Sequence, residues 1–250
     1  MSLTAWLDDS VLQHLAEENN LSATAFYTAR LPADAAPRDQ EYPAYHLRWF
    51  TPVVEVGRCG HATLAAAAQI FEDLHPDADR IQFWTRSGWL KVDRGPDATL
   101  VMDFPAEPPV PTAADTRVVA ALGIAVRECL KATDLVFVAE SEHDIASMAP
   151  DFAVISPLKV RGIVVTAASD ADGVDFVSRW FGAAAGVQED PVTGSAHSQI
   201  APYWASALGR GSLVGRQLSA RGGTVHCDVR GDRVSLSGAY RRYLRGTVEF

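Results

Sequence analysis

Cysteine is scarce in this chain. Its 250 residues hold three, Cys59, Cys129 and Cys227, with no CxxC pair. An odd, sparse count argues against both a disulfide scaffold and a structural zinc site. No run of about 18 apolar residues is present, so no membrane-spanning segment is expected. The start, Met1 to Asp9, lacks a basic region followed by an apolar one; it does not read as a secretory signal, and a cytoplasmic protein is expected. Positive charge is in deficit, with 22 Lys and Arg against 31 Asp and Glu and a formal net charge of −9. That balance disfavours nonspecific binding to nucleic acid or to anionic membranes. His14, His46, His75, His143 and His226 lack metal-ligand spacing, so no metal is expected. There is no P-loop, and no G-x-G-x-x-G between a strand and a helix, so nucleotide binding has no support.

What is present is a packed globule: 48% hydrophobic residues against 21% charged, in a length suited to one large domain or two ordinary ones. One stretch carries reactive chemistry. Arg58-Cys59-Gly60-His61-Ala62-Thr63-Leu64, followed by the alanines 65–68, reads as a turn emptying into a buried helix. The first N–H groups of a helix lack intrahelical partners, and the helix dipole adds positive charge there. Cys59 and His61 thus place a thiol and an imidazole beside an anion site, although a core cysteine at a tightly packed helix start gives the same pattern. A second stretch of this kind, Glu189-Asp190-Pro191-Val192-Thr193-Gly194-Ser195-Ala196-His197, opens another helix.

In chain order, Asp8 or Asp9 can cap a helix running to about Asn19. Strands are expected at 23–28, 46–50, 81–85, 89–92 and 99–104, with a proline-containing loop over 31–43. Four prolines within 105–111 suggest a stiff connector, which divides the chain into domains 1–110 and 111–250. Beyond it, Thr112 with Asp115 makes a capping-box-like helix start, ended near Gly123. Strands follow at 134–138, 162–166 and 174–181, with helical patches at 143–148 and after Asp151. The second motif opens a helix to about Leu208, bent at Pro202. A meander of strands runs from Gln217 to Phe250.

The two halves repeat. Arg48-Trp49-Phe50 recurs as Arg179-Trp180-Phe181. Gly60-His61-Ala62 recurs as Gly194-Ser195-Ala196, and Arg86-Ser87-Gly88 as Arg221-Gly222-Gly223. Gly60 to Gly88 spans 28 residues, and Gly194 to Gly223 spans 29. Two duplicated domains would face each other across a cleft with pseudo-twofold symmetry. Backbone N–H groups from both sides could then grip a small carboxylate, and acid or base side chains on opposite walls could flank one carbon.

With these runs in view, the chain resembles the PhzF-like (phenazine-biosynthesis protein) family of the diaminopimelate epimerase fold. The matching runs are 18–22, 49–56, 59–64, 189–196 and 218–223. The resemblance implies an α/β (α+β) fold of two pseudo-symmetric domains, each a mixed β-sheet around a central helix, with the active-site cleft between them. The last strand of the second domain can pack on the first. The resemblance also implies a cofactor-independent isomerase or epimerase, usually a homodimer, that moves protons on a small carboxylate-bearing substrate. It assigns catalysis to His61 and Asp190, with Cys59 as a further candidate. Substrate binding falls to Gly60, Ala62, Thr193, Gly194, Ser195 and Ala196.

Two departures stand out. The family's principal acid/base, a Glu directly after Asn-Leu-Ser, is Ala23 here. Relatives also begin with a strand bearing Asp-Ala-Phe and a Gly-Asn-Pro turn, which nothing before Trp6 supplies; either the start is truncated or the first sheet lacks a strand. The lost Glu keeps two other classes in play: a small-molecule-binding protein without turnover, and a lyase (dehydratase) using Cys59 opposite Thr193, as in hydroxyproline dehydratases. Glu55 reads as structural or as a replacement base. His197 is read as lining the pocket or lying on the helix surface. Arg221 would meet an anionic ligand or pair with a carboxylate.

Overall fold

The computed structural model describes residues 1–35, 39–113, 115–182 and 186–249. Pro37 of the expected 31–43 loop, and Phe250 at the end of the expected meander, lie outside them. The first half comprises α1 (Asp9–Asn19), β1 (Thr24–Thr28), β2 (Ala44–Phe50), β3 (Glu55–Val56), α2 (Gly60–Asp73), β4 (Arg80–Thr85), β5 (Gly88–Arg94) and β6 (Thr99–Pro105). The second comprises β7 (Val110–Pro111), α3 (Thr116–Leu122), β8 (Val126–Lys131), β9 (Leu135–Ala139), α4 (Glu142–Ser147), α5 (Phe152–Ile155), β10 (Ile163–Ala168), β11 (Phe176–Phe181), α6 (Gly194–Leu208), β12 (Ser212–Gln217), β13 (Gly223–Arg230) and β14 (Arg233–Ala239).

The strands join into one mixed sheet in the order β1-β2-β4-β5-β6-β14-β13-β12-β11-β10-β9-β8-β7, with β3 beside β2. The duplication is explicit in the pairings. β1 and β2 are antiparallel, β2 and β4 parallel, and β4, β5 and β6 antiparallel. β10 and β11 are likewise antiparallel, β11 and β12 parallel, and β12, β13 and β14 antiparallel. The axis runs between β6 and β14, which pair antiparallel from Arg233–Pro105 to Ala239–Thr99. β14 thus joins the second half edge to edge with β6 of the first.

Alternation along each strand decides what each side chain meets. In the repeated Arg-Trp-Phe, Trp49 and Trp180 turn inward to the core shared by α2 and α6. Phe50 and Phe181 turn outward, against α1 and against α3–α5 respectively. Each Arg also faces outward over its Phe, at 5.1 Å for Arg48–Phe50 and 5.2 Å for Arg179–Phe181. Both close a fork with a carboxylate: Arg48 Nε and Nη2 with Glu55 at 2.8 and 2.9 Å, Arg179 Nε and Nη2 with Glu189 at 2.6 and 2.9 Å. The repeat thus builds the same anchoring device on both walls.

Four expectations are corrected. Asp115, not Thr112, caps α3, accepting from the Arg117 N–H at 2.9 Å, and Gly123 ends it in the left-handed region at φ 68°. The proline connector is shorter than expected: Pro105 closes β6, and Val110–Pro111 pairs with β8. β8 itself was not anticipated, because Val126-Arg-Glu-Cys-Leu-Lys131 is charged and only Leu130 is buried. Beyond Ala239 the described residues 240–249 carry no strand, so the expected meander ends with β14. α6 continues through Pro202 to Leu208, with Gly209 as its left-handed C-cap. At the outer edge of β1, Met1 to Leu3 makes a parallel bridge through Ser2–Tyr27.

Candidate active site

α2 and α6 begin at the pseudo-twofold axis. Their first residues touch: a Cβ built on Gly60 would lie 3.5 Å from Gly194 Cα. The N-cap residues are Cys59 (φ −150°, ψ 106°) and Thr193 (φ −110°, ψ 92°), both extended, and neither side chain caps its helix. Two helix starts with uncapped N–H groups therefore converge, which concentrates positive partial charge there. Ala62 and Ala196 point into the core, 4% and 1% exposed, so only their backbones can face a ligand. Trp49 fixes the first start by donating to Thr63 Oγ1 at 3.1 Å, while the Thr63 hydroxyl donates to the Cys59 carbonyl at 2.7 Å.

His61 is the hub. Its Nδ1 lies 3.2 Å from the Val192 carbonyl and 3.7 Å from Asp190 Oδ2, both on the opposite half. Its Nε2 lies 3.1 Å from Ser22 Oγ and 3.7 Å from Cys59 Sγ. Burial opposes charge on the ring, but the Cys59 sulfur and the Asp190 carboxylate outweigh it, and the imidazolium pKa is pushed up to about 9. Both ring nitrogens then donate, Nδ1 to Val192 and Nε2 toward Ser22. Arg221 works the other way, its charge lowering the His61 pKa. It is exposed, on the β12–β13 turn, and makes no ion pair or hydrogen bond among the described residues.

Asp190 is 5% exposed and accepts from Thr193 Oγ1 at 2.5 Å. Gln217 locks the same loop, accepting from Thr193 N at 2.8 Å and donating to the Asp190 carbonyl at 2.6 Å. The Thr193 hydroxyl is thus occupied in holding Asp190, and its N–H is taken up by Gln217. Ser195 meets a different partner, accepting from Arg161 Nη1 at 2.5 Å.

The fold gathers Cys59, His61 and Asp190 into one cluster, with Gly60 and Gly194 at its floor. Glu55 stands apart, 12% exposed and held by Arg48 and by Arg86 at 2.7 Å. His197 is neither pocket-lining nor on the helix surface: it is wholly buried beside Phe176, its Nδ1 on the Thr193 carbonyl at 2.9 Å, and burial pushes its pKa down to about 4. Sequence reasoning missed Ser22, Val192, Gln217 and Arg161. Ser22 and Arg161 were within reach of the repeat, since each lies two residues ahead of equivalent strands.

A family model described as phenazine biosynthesis-like protein matches residues 3–243. The chain belongs to the phenazine biosynthesis-like family. Within it, the chain is 51% identical over 246 residues to an uncharacterised isomerase of Pseudomonas aeruginosa, covering 98% of this chain and 90% of that one. It also resembles the solved phenazine biosynthesis protein of the PhzF family from Enterococcus faecalis, at 38% identity and TM-score 0.84 over 95% of this chain and 86% of that one. A PhzC/PhzF protein structure from Clostridium difficile gives 34% identity and TM-score 0.85 over 100% and 91%. No helix among the described residues is long and apolar enough to cross a membrane, and no group of three or more His, Cys, Asp and Glu among them is arranged to hold a metal.

Proposed function

We propose that this phenazine biosynthesis-like protein is an isomerase that moves a proton between two atoms on one face of a small carboxylate-bearing substrate, with His61 and Asp190 as the acid/base pair. The observation that carries this reading is their 3.7 Å separation. A carbon in contact with both a nitrogen and an oxygen on opposite sides needs a gap of about 6 Å, twice the reach of one close contact. His61 and Asp190 therefore act from the same side, and Cys59, 3.7 Å from the same ring, joins that side. Epimerisation calls for a second base on the far face. The place where the family pattern carries its principal acid/base is Ala23 here, which carries no proton. One-faced proton transfer uses only what the cluster offers, and a relative 51% identical bears the name isomerase.

In this mechanism the α2 and α6 starts and Arg221 hold the carboxylate, and the helix N–H groups stabilise the charge that develops as the proton leaves carbon. Asp190 accepts the proton from carbon, the His61 imidazolium delivers its own proton to the second atom, and proton transfer from Asp190 back to His61 restores the pair. We read the protein as cofactor-independent and homodimeric on the family resemblance; sedimentation velocity tests the last point.

The test is solvent exchange in D2O, followed by NMR over a panel of unsaturated, hydroxy, keto and amino acids. His61→Gln and Asp190→Asn are each expected to cost about 10²-fold or more. A second reading, a binding protein without turnover, rests on Ala23. Carboxylate binding with no exchange on any panel member would decide for it. Alkylation of Cys59 with iodoacetamide separates the lyase reading, which needs the thiol as its base.

A further inference from the structure

The repeat aligns β1 with β10 through their partners: Thr24 faces Phe50, and Ile163 faces Phe181. Two residues before each strand start lie Ser22 and Arg161. Ser22 touches the second residue of α2, His61, and Arg161 touches the second residue of α6, Ser195. Each wall thus sets one nitrogen cation against one hydroxyl at its helix start, with the order of the two exchanged. The residues that follow are equivalent as well. Ala23 has a small side chain, and Gly162 has none, because a Cβ there would meet the Trp180 ring at 2.4 Å.

Arg161 is pinned with unusual thoroughness. Asp134, wholly buried, takes Arg161 Nε on Oδ1 at 2.8 Å and Arg161 Nη2 on Oδ2. The same Oδ2 also accepts from Trp180 Nε1 at 3.0 Å and Gln199 Nε2 at 2.9 Å. Gln199 accepts from Asp134 N at 2.9 Å and donates to the Ser195 carbonyl at 2.8 Å, tying Asp134 to the first turn of α6. A guanidinium has donors only, so in the Arg161–Ser195 contact Ser195 Oγ must accept. Its single proton is then directed elsewhere, and no described residue accepts it.

We propose that Arg161 is a positioning residue: held by Asp134, it orients the Ser195 hydroxyl so that its proton is presented to an oxygen of the substrate. This inference rests on the carboxylate-binding cleft of the proposed function. It makes Ser195 an obligatory donor, where an unanchored serine would switch between donating and accepting. A freely rotating hydroxyl would pay no such directional preference to an anion.

The test is a double-mutant cycle on the full chain with Arg161→Lys and Ser195→Ala, with malonate as the probe. Lysine keeps a charge beside Asp134, but one ammonium cannot hold both Asp134 oxygens and Ser195. Calorimetry gives the malonate Kd, and D2O exchange gives kcat and KM wherever a panel substrate is found. Each single change is expected to weaken malonate binding about tenfold. In the Ser195→Ala background, Arg161→Lys is expected to change Kd less than about twofold, because its partner is gone. Asp134→Asn should reproduce Arg161→Lys. Additive losses, with the double variant about a hundredfold weaker, would show Arg161 acting on the ligand directly or through general destabilisation, and would overturn the inference alone. A wild-type chain that binds no malonate would overturn the carboxylate cleft and this inference together.

Discussion

Gly60 and Gly194 stand against each other at the pseudo-twofold axis, a Cβ on either lying 3.5 to 3.8 Å from the Cα of the other. Those are the distances of ordinary contact, and neither glycine has a positive φ. The packing therefore has room for one methyl and no more. A Cβ on Gly60 also meets Met102 at 3.4 Å and Phe104 at 3.7 Å, which closes the remaining directions.

Gly60→Ala is expected to fold with a melting temperature within a few degrees of wild type, because helix propensity gains offset slight crowding. Gly60→Val should force the two helix starts apart at a cost of about 1–3 kcal/mol. Thermal denaturation of the two variants checks this. Equal tolerance of alanine and valine would mean that the halves are not in contact at the axis.

Glu55 and Glu189 hold equivalent arginines, and the prediction is that they do equivalent work. Arg48 and Arg179 are each 13% exposed, so losing the carboxylate leaves a mostly buried guanidinium underpaired. Glu55→Gln and Glu189→Gln are expected to lose up to about 3 kcal/mol of stability each. Arg48 keeps Asp9 at 2.9 Å, and Arg179 keeps the Met148 carbonyl at 2.8 Å, which limits the loss. Solvent exchange measured well below the melting temperature should be unchanged in both. Loss of exchange in Glu55→Gln at unaltered stability would instead make Glu55 the replacement base.

His61 gives the cleft a pH signature. Its folded pKa of about 9 stands above the ordinary histidine value of 6.5. A group whose pKa is raised by folding favours the folded state fully below the unfolded pKa, and that contribution disappears as pH rises through the folded one. Stability from His61 should therefore be intact below pH 6.5 and decline toward pH 9. Subtracting the stability profile of His61→Gln from that of wild type isolates the effect. Because Arg221 lowers the His61 pKa, Arg221→Gln should move the His61 titration, followed by NMR of the ring protons, to still higher pH. Arg221→Gln should also weaken carboxylate binding. A His61 titration near 6.5 in wild type would contradict the charged imidazolium.

Much of this was legible in the sequence for one reason: the chain states its architecture twice. Arg48-Trp49-Phe50 and Arg179-Trp180-Phe181 fix strand faces on both walls, and the glycines 60 and 194 mark both helix starts. What escaped depends on contacts between segments remote in the chain. Arg161 meets Asp134 and Ser195 only after β9 and β10 pair in parallel, and Val192 meets His61 across 131 residues. Spacing carries no trace of such contacts. β8 escaped because most of its side chains are not buried, so the apolar alternation that announces a strand is absent. His197 escaped because position on α6 does not reveal that this helix is covered on every side near its start, from Ser195 through Ala201.

The position before β1 offers the most decisive single substitution. Ala23 follows Ser22, whose hydroxyl lies 3.1 Å from His61, and its side chain is partly buried against the core shared by α2 and α6. In the family pattern this place carries the principal acid/base. If His61 and Asp190 already suffice for one-faced transfer, Ala23→Glu adds a carboxylate beside a ring that is already compensated by Asp190 and Cys59. Exchange should then change little, and the new charge should raise the His61 pKa further. If the cluster is a relic without turnover, the same substitution supplies the missing group and exchange should rise by about 10²-fold or more. The two outcomes lie far apart on one assay, D2O exchange over the carboxylate panel. A silent wild type with an active Ala23→Glu variant would replace the isomerase reading with that of a protein that kept its clamp after losing its base.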